Sequence, residues 1–322
     1  MKLLITGITG FVGSHLAEYC LKKTNVQVYG IKRWRSPLDN LSGIENKVKL
    51  IDCDLRDENS VVLAVQKIKP ERIFHLAAQS YVQSSYTAPR DTLETNIIGT
   101  LNILEAVRCV GIDPLIHICS SSEVYGQVHE NEIPITENNS LRPQSPYAVS
   151  KVGEDLLSYQ YFKSYKLRTI RTRAFTHTGP RRGAVFAESS FAKQIAEIEA
   201  GNKEPVIYVG NLDSVRTFMD VRDIVNAYWL ALEKGIPGEV YNIGGEVTMK
   251  VGDMLNTLLA SSPVGKKIKV EVDAKLLRPS DVTLQIPSTE KFRGQTGWKP
   301  TIPFEKTMID LLDYWRVMTK RS

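Results

Sequence analysis

The chain has 322 residues, of which 42% are hydrophobic and 24% are charged, a composition typical of a globular protein. Its 41 Lys and Arg residues against 36 Asp and Glu residues give a formal net charge of +5. Because no basic cluster accompanies this mild charge, nucleic acid is excluded as the expected partner, and a small anionic ligand is favoured. The length predicts one large α/β unit or two unequal lobes.

Cysteine spacing and the N-terminal stretch bear on metal binding and compartment. The cysteines show no CxxC spacing and fall in apolar periodic segments, so we predict reduced core residues and no metal site at Cys20, Cys53, Cys109 and Cys119. The stretch MKLLITGITGFVG lacks signal-peptide features, and no apolar run approaches the roughly 20 residues of a membrane span. We therefore expect a cytoplasmic protein that does not contact a membrane.

Over residues 1–175, short apolar or β-branched runs alternate with segments of helical period. The runs are KLLIT, VQVYGI, VKLIDCD, RIFHLA, LIHICS and RTIRTRAF. This alternation predicts a doubly wound parallel sheet with helices on both faces, an α/β fold of the Rossmann type. We expect residues 1–175 to form the domain built on this sheet, with a late strand near residues 220–245 returning to it.

Three glycines follow the first predicted strand and open the first helix, at Gly7, Gly10 and Gly13. A tight turn there needs residues without a Cβ, and it lets a pyrophosphate reach the N–H groups of the helix N-terminus. Their Gly-x-x-Gly-x-x-Gly spacing is that of the extended short-chain dehydrogenase/reductases. The alternative, glycines that only end a strand, fits the strand-turn-helix context less well.

The end of the second strand predicts which cofactor is bound. An NAD enzyme usually presents an acid there to the ribose 2′-hydroxyl, whereas this chain has Arg33 and Arg35. Two guanidinium groups suit a 2′-phosphate, which favours NADP(H), unless both arginines simply belong to a solvated loop. Asp54 and Leu55, after the third strand, are expected beside the adenine.

A candidate catalytic pair lies in SPYAVSKVGEDL. Tyr147 and Lys151 are four residues apart at the start of a helical run, so their side chains share one face. An unperturbed tyrosine pKa of about 10 is too high for a base near neutrality, and a nearby ammonium stabilises the phenolate. Lys151 is also expected to hold the nicotinamide ribose. Ser121 and Ser122, at the end of the fifth strand, are expected to hydrogen-bond the reacting oxygen.

Glu123, in SSSEVYG, goes beyond what a simple dehydrogenase needs. Once a sugar is oxidised to a ketone at C4, its C5 proton is acidified. A carboxylate over C5 can remove that proton and then, as the acid, help the C6 hydroxyl leave as water. The alternative is a surface carboxylate at a strand end, which the adjacent serines and the Tyr125-Gly126 turn disfavour.

After about residue 175 the alternation loosens, and residues 176–322 are predicted to form mainly a smaller α/β substrate-binding lobe. FAESSFAKQIAEIEAG and MLNTLLASS have helical patterns, and EPVIYVG and IKVEVDA have strand patterns. We expect this lobe over the C-terminal edge of the sheet, where open α/β folds bind ligands. VYNIGG is predicted to be the late strand, and PFEKTMIDLLDYWRVM a final helix packed in the core.

Nearly the whole chain resembles the nucleotide-sugar branch of the extended short-chain dehydrogenases, and most closely the GDP-mannose 4,6-dehydratase family. The matching stretches, in family order, are TGITGFVGSHLAE, GIKRWRS, HLAAQSYV, SSSEVYG, SPYAVSKV, GPRRG, VGNLDSVR, LLRPSDV and TGWKP. The resemblance implies an active-site hydroxyl at Ser121, a general base at Glu123, and the tyrosine-lysine pair at Tyr147 and Lys151.

The resemblance also implies a substrate site and its cofactor. Arg182, Arg216 and Arg278 correspond to residues that meet the cofactor or the substrate diphosphate, and bidentate arginines suit such charges. Further substrate-binding positions are expected at Ser122, Thr176, His177 and Val185. His177 is equally well explained as a structural histidine under the loop.

The chain departs from the family in ways that leave the substrate and reaction open. Thr176 replaces a typical Asn, Ser189 and Ser190 replace basic residues, and VRTFMDVRDIVNAYWLALEKG and THTGP look more like GDP-4-keto-6-deoxy-mannose reductase. The predicted reaction is NADP-dependent 4,6-dehydration of GDP-mannose to GDP-4-keto-6-deoxymannose, with hydride returned to C6. The alternatives are that reductase, a related nucleotide-sugar epimerase or decarboxylase, and a GDP-heptose-modifying enzyme. A homodimer or homotetramer is the family expectation.

Overall fold

A computed structural model gives the structure of the protein and describes residues 1–277 and 281–320. Its strands, numbered in chain order, are β1 Lys2–Thr6, β2 Gln27–Lys32, β3 Lys49–Asp52, β4 Arg72–His75, β5 Leu115–Ser121, β6 Arg168–Ala174, β7 His177–Thr178, β8 Val206–Val209, β9 Val215–Asp220, β10 Val240–Ile243, β11 Val247–Lys250, β12 Lys269–Val272 and β13 Leu284–Gln285.

The α-helices connect these strands and cover the sheets. They are α1 Phe11–Leu21, α2 Glu58–Ile68, α3 Val82–Thr87, α4 Pro89–Leu93, α5 Gly99–Val110, α6 Pro146–Tyr165, α7 Ala187–Glu199, α8 Val221–Lys234, α9 Val251–Ala260, α10 Glu290–Thr296 and α11 Phe304–Thr319. A short π-helical turn, Glu94–Ile98, joins α4 to α5.

The main sheet has seven parallel strands in the order β10-β6-β5-β4-β1-β2-β3. Its order reverses at β1, so the carboxyl ends of β1 and β4 flank the crevice where such sheets bind ligands. Inner strands are buried on both faces, as Leu3 and Ile5 pack in one apolar cluster and Leu4 in the other. The structure thus confirms the predicted parallel α/β fold.

The second layer is built around β9, which pairs with β11, β13 and β7, while β8 pairs separately with β12. Helices α7, α9 and α11 pack against this layer around Phe191, Phe218, Leu255 and Met308. The final helix is therefore part of a core, as its pattern predicts.

The chain returns to the main sheet from its second half. β10 pairs in parallel with β6, as expected for the late strand, and α8 packs against α1 and β5. α10 lies against β10 and α8. The layer around the parallel sheet therefore includes residues well beyond 175.

One expectation about the cysteines is wrong. Cys20 and Cys53 are buried and Cys119 is partly buried, but Cys109 is exposed near the end of α5. Cys109 lies on the solvent side of α5, and the opposite face of this helix packs against α2. All four are free thiols.

Candidate active site

A cleft of about 810 Å³ runs along the carboxyl ends of the main sheet, beneath the second layer. It brings together most of the side chains predicted to act in binding or catalysis. These are Gly7, Gly10, Gly13, Arg33, Asp54, Leu55, Ser121, Ser122, Glu123, Tyr147, Lys151, Thr176, His177, Arg182, Val185 and Arg216. Arg35 lines a smaller adjoining cavity, together with Arg33. Arg278 lies outside the described residues.

The glycine turn forms a cradle that side chains would fill. Gly7 has φ +69°, and a Cβ there would lie 2.9 Å from Cα of Ala77. A Cβ on Gly13 would lie 2.1 Å from the carbonyl oxygen of Gly7. The Gly10 amide donates to that same carbonyl at 3.0 Å. The turn therefore has the shape and the free helix N-terminus that fit a dinucleotide pyrophosphate.

The segment after β2 carries positive charge and an exposed aromatic ring. Trp34 is 70% exposed, and the Arg35 guanidinium lies 4.3 Å from its ring centroid. Asp52, the acid at the end of the neighbouring β3, forms an ion pair with Lys32. Arg33 and Arg35 thus border the cavity without a carboxylate partner among the ion pairs of the described residues. These features fit an NADP 2′-phosphate.

Asp54 lies at this end of the cleft with its carboxylate already engaged. Arg56 donates to it at 2.8 Å, and this hydrogen bond lowers the pKa of Asp54 against the raising effect of burial. Leu55 is buried beside it, and the Asn102 amide donates to the Leu55 carbonyl at 2.7 Å. The two residues form a fixed wall rather than a free hydrogen-bonding site.

The predicted catalytic pair lies on the first turns of α6. Ser145 caps this helix, its hydroxyl accepting from the Ala148 amide at 3.0 Å, and Pro146 occupies the first turn. Tyr147 and Lys151 follow one turn apart, with Lys151 Nζ 5.9 Å from the Tyr147 ring centroid. Lys151 Nζ donates to the carbonyl oxygen of Cys119 at 2.9 Å. The pair is therefore anchored to the end of β5.

The charges around this pair work in opposite directions. The pKa of Tyr147 lies above its ordinary value, because burial raises it by more than the Lys151 charge and a hydrogen bond with Ser121 lower it. Burial has the largest single effect on the pKa of Lys151 and lowers it, but Glu154, Tyr147 and Cys119 together raise it by more, so the net pKa lies above the ordinary lysine value. Lys151 is thus held as a cation facing the phenol.

Glu123 sits on a 3-10 turn, Ser122–Tyr125, that directly continues β5. Ser121 starts the turn, and its hydroxyl accepts from the Glu123 amide at 3.2 Å. The Ser122 hydroxyl donates to Gln285 Oε1 at 3.1 Å, so it is oriented toward β13. The partly buried Glu123 carboxylate lines the cleft, and no side-chain hydrogen bond to it occurs among the described residues. It is available to a bound substrate.

A buried network holds the turn that carries Glu123. The Tyr125 hydroxyl donates to Asn242 Oδ1 at 2.7 Å and accepts from Arg173 at 3.0 Å. The Asp155 carboxylate forms ion pairs with Arg173 at 2.9 Å and with Arg171 at 2.8 Å. Gly126, with φ +61°, then reverses the chain. Three strands and α6 therefore fix the position of this turn.

The segment after β6 contributes an aromatic stack and a half-buried cation. The His177 ring lies parallel to Phe11 with centroids 6.1 Å apart, its Nδ1 is 2.9 Å from the Phe175 carbonyl, and burial lowers its pKa to about 4. This supports a structural role for a neutral His177. The Arg182 guanidinium lies 3.6 Å from the Phe186 ring centroid, and its Nε is buried without a hydrogen-bond partner.

Arg216, on β9, borders the far end of the cleft. It lies 3.6 Å from Asp281, which accepts from Asn211 at 2.8 Å and from Ser214 at 3.0 Å. The acid orients the arginine at the cleft wall. Thr176 and Val185 also line the cleft, and Val185 is exposed.

Three cleft or near-cleft residues escaped the sequence analysis. Gln285 orients Ser122, and Glu154 pairs with Lys151 at 3.1 Å. Glu188, in the first turn of α7, is buried and lines the cleft near Arg182. Only Glu154 carried a detectable signal, because it lies three residues after Lys151 on the same helix.

Within residues 1–277 and 281–320, no cluster of three or more His, Cys, Asp or Glu residues is arranged to hold a metal ion. The same part of the chain contains no helix both long enough and apolar enough to cross a membrane.

A glycine cradle, a tyrosine-lysine pair and a serine at the end of the fifth strand of such a sheet define an enzyme of the short-chain dehydrogenase/reductase superfamily. The family profile for GDP-mannose 4,6 dehydratase matches residues 4–311. The chain belongs to this family.

Curated relatives match almost the whole chain. The GDP-mannose 4,6-dehydratase of Yersinia enterocolitica is 33% identical, over 97% of this chain and 92% of its own length. The GDP-6-deoxy-D-mannose reductase of Pseudomonas aeruginosa is 31% identical, over 98% of this chain and 97% of its own length. The human GDP-mannose 4,6 dehydratase is 31% identical, over 96% of this chain and 90% of its own length.

Solved structures agree with the fold. The RMD structure of P. aeruginosa complexed with NADPH has a TM-score of 0.84 at 30% identity, covering 98% of this chain and 99% of that chain. UDP-glucose 4-epimerase of Thermotoga maritima with UDP-glucose has a TM-score of 0.88 at 26% identity, covering 99% of both chains.

Proposed function

We propose that the protein is an NADP-dependent GDP-mannose 4,6-dehydratase that forms GDP-4-keto-6-deoxymannose. The observation that carries this proposal is the Glu123 carboxylate, which lines the same cleft as Tyr147, Lys151 and Ser121 without a competing side-chain hydrogen bond among the described residues. A second base beside the tyrosine suits elimination of water. The dehydratases to which the chain is similar support the choice of reaction.

The residues divide the proton transfers between them. Tyr147, whose phenolate form the Lys151 charge stabilises against the effect of burial on its pKa, takes the proton of the sugar C4 hydroxyl, while Ser121 hydrogen-bonds the same oxygen. Glu123 then removes the acidified C5 proton and delivers a proton to the departing C6 hydroxyl. Water is thus eliminated, with the proton taken from C5 and the hydroxyl from C6.

NADP fits the glycine cradle and the arginine-bordered cavity after β2. When bound, NADP would supply the acceptor for the C4 hydride and the donor of hydride to C6, without net consumption of cofactor. The residues that would hold it are Gly7, Gly10, Gly13, Arg33, Arg35, Asp54, Leu55, Tyr147, Lys151 and Arg182. The NADPH complex of the similar RMD protein supports this choice.

The far half of the cleft is proposed to hold the GDP-sugar. Arg182 and Arg216 supply guanidinium groups suited to a diphosphate. Arg278 is proposed to act with them. Ser122, Thr176, His177 and Val185 are proposed to line the sugar and its phosphate. The substrates named for the similar dehydratases support GDP-mannose rather than a GDP-heptose.

The second candidate is the GDP-4-keto-6-deoxy-mannose reductase. It is favoured by the 31% identity to the P. aeruginosa reductase over 98% of this chain. This activity would need Tyr147 and Lys151 but would not need Glu123 as a base. The two candidate activities therefore differ in whether they require Glu123.

The deciding experiment supplies GDP-mannose with only catalytic NADP⁺ and follows the product by mass spectrometry. Loss of one water without net change in cofactor absorbance supports the dehydratase. Unchanged GDP-mannose, with NADPH consumed when GDP-4-keto-6-deoxymannose is supplied, would replace it with the reductase. Glu123→Gln should lower dehydration about a hundredfold or more while C4 oxidation persists, seen as absorbance of reduced cofactor. Undiminished 6-deoxy product from Glu123→Gln would contradict its assigned role.

We also propose a cytoplasmic homodimer or homotetramer. The four free thiols support a reducing compartment. Exposed apolar side chains on neighbouring helical segments support self-association, namely Ile98, Val149, Leu156 and Tyr159. Light scattering coupled to size exclusion tests the assembly, and a monomer at micromolar concentration would contradict it.

A further inference from the structure

Three ionisable residues follow one stripe of α6. Tyr147, Lys151 and Glu154 are at positions i, i+4 and i+7, which places them on one helix face. Tyr147 and Lys151 line the cleft, whereas Glu154 is not among its lining residues. Glu154 therefore lies behind the lysine, out of reach of a bound substrate or cofactor.

The contact between Lys151 and Glu154 is fully desolvated. Lys151 Nζ donates to Glu154 Oε2 at 3.1 Å, and the two side chains are 4% and 1% exposed. The other oxygen, Oε1, is buried without a hydrogen-bond partner. A buried charge pair with an unsatisfied oxygen is costly and is weak evidence for a stabilising role, so its position beside a catalytic lysine suggests a functional reason.

The ammonium of Lys151 has three protons to donate. One is directed to the Cys119 carbonyl at 2.9 Å and one to Glu154. One remains for the cleft. Two fixed acceptors on the inner side thus limit the directions in which the third N–H can point.

The remaining ionisable groups that face this stripe come from four other elements and from α6 itself. They are His75 on β4, His117 and Cys119 on β5, Tyr228 on α8, Arg182 on the loop before α7, and Asp155 on α6.

Most of these groups carry no negative charge that could pair with Lys151. Burial lowers the histidine pKa values to about 3 and raises those of Cys119 and Tyr228, so all four are neutral near pH 7. Asp155 forms ion pairs with Arg171 and Arg173. Glu154 is the carboxylate that pairs with the lysine.

We propose that Glu154 is a positioning residue for the catalytic pair: its carboxylate orients the Lys151 ammonium and offsets part of the positive charge that Tyr147 experiences. The proposal rests on the role of Tyr147 as base in the proposed function. It assigns to Glu154 no contact with substrate or cofactor.

The proposal has a consequence for both limbs of the pH profile. Burial raises the pKa of Glu154 itself to about 7, and its ionised carboxylate above that pH raises the pKa of Tyr147 and that of Lys151. Its removal should therefore let Tyr147 ionise at lower pH and let Lys151 lose its proton at lower pH. The active form needs the phenolate and the ammonium together, so both limbs should move in the acidic direction.

The test compares Glu154→Gln with the wild type and with Glu105→Gln. Glu105 is also paired with a cation on its own helix, Arg108, and accepts a hydrogen bond from Tyr161, but it does not line the cleft. For Glu154→Gln we expect both limbs of kcat/KM to shift by about one pH unit to lower pH, a charge effect of ordinary size. Glu105→Gln should leave both limbs in place. A Glu154→Gln enzyme with unshifted limbs would overturn the proposal.

A second readout needs no substrate. The ionisation of Tyr147 can be followed by NMR of protein carrying ¹³C-labelled tyrosine, with Tyr147→Phe assigning the signal. A downward shift of the Tyr147 titration in Glu154→Gln supports the proposal even if GDP-mannose is not turned over, which separates its outcome from that of the proposed function. An unchanged titration overturns it. If Glu154→Gln does not fold, Glu154→Asp is used, for which we expect a smaller shift in the same direction, and no shift overturns the proposal.

Discussion

The hydroxyl of Tyr125 donates a hydrogen bond to Asn242 Oδ1 at 2.7 Å, between residues that are 117 positions apart in the chain. This bond ties the turn that carries Glu123 to β10, the edge strand contributed by the second half of the chain. Asn242 in turn donates to the Ile135 carbonyl at 2.9 Å, so the loop after the turn is held by the same strand. The position of the proposed base thus depends on a strand that is distant in sequence.

Removal of the Tyr125 hydroxyl should therefore weaken both the fold and the proposed elimination. Tyr125→Phe leaves a buried Asn242 oxygen unpaired and removes an acceptor of Arg173. We expect the free energy of unfolding to fall by about 1–3 kcal/mol, measured by urea denaturation. Tyr29→Phe is the control, because the Tyr29 hydroxyl makes two long, exposed contacts, 3.5 Å to Gln27 and 3.4 Å from Lys49. Equal stability of the two variants would show that the network contributes little to the free energy of unfolding.

Cofactor preference should depend on the arginines after β2. Arg33→Ala removes charge-assisted bonds to the 2′-phosphate of NADP⁺, each worth about 1.5–3 kcal/mol. We expect Kd for NADP⁺ to rise by about tenfold to a hundredfold, while Kd for NAD⁺ changes less than about twofold, both measured by calorimetry. Arg90→Ala, at an exposed arginine paired with Glu94, should change neither. An equal loss for both cofactors would contradict the assignment.

Dinucleotide binding should not tolerate a side chain at Gly13. Gly13→Ala places a Cβ 2.1 Å from the Gly7 carbonyl oxygen, so the turn must move. We expect loss of detectable NADP⁺ binding and destabilisation by about 1–3 kcal/mol, measured by calorimetry and thermal unfolding. Gly294→Ala is the matched control inside α10, where no atom lies within 4 Å; it should be neutral or slightly stabilising. Normal cofactor affinity in Gly13→Ala would contradict a close approach of the glycine turn to the dinucleotide.

Buried neutral histidines should make stability pH-dependent below neutrality. Burial lowers the pKa of His117 to about 3, below the ordinary value of 6.5, so the unfolded chain binds its proton more readily. The stabilising contribution is complete above pH 6.5 and is lost as the pH falls from 6.5 toward 3. His117→Asn should reduce the slope of unfolding free energy against pH by about 1.4 kcal/mol per pH unit across this window.

Urea denaturation between pH 5 and 7.5 measures that slope. The control is His129→Gln, because His129 is exposed and should leave the slope unchanged. If His117→Asn retained the full slope, His117 would have to be charged in the folded protein, contrary to its burial between Phe74 and Tyr228.

Local features of the site were readable from sequence because their geometry is set within a few residues. The glycine turn follows from strand, turn and helix in succession, and the Tyr147–Lys151 spacing follows from the helix repeat alone. Glu154 was predictable by the same rule, but its partner Lys151 was assigned only to Tyr147 and to the nicotinamide ribose. The exposure of Cys109 was missed because the sequence pattern does not show which side of α5 packs against a neighbour.

Periodicity and motif spacing are local properties of the chain, and they were enough to predict the parallel α/β fold, the glycine cradle and the candidate catalytic residues. How distant segments complete the site became visible only in three dimensions. Ser122 meets Gln285 across 163 positions, and Tyr125 meets Asn242 across 117. Such pairings depend on which strands become neighbours when the apolar faces are buried together, and that outcome is a property of the whole chain rather than of any segment.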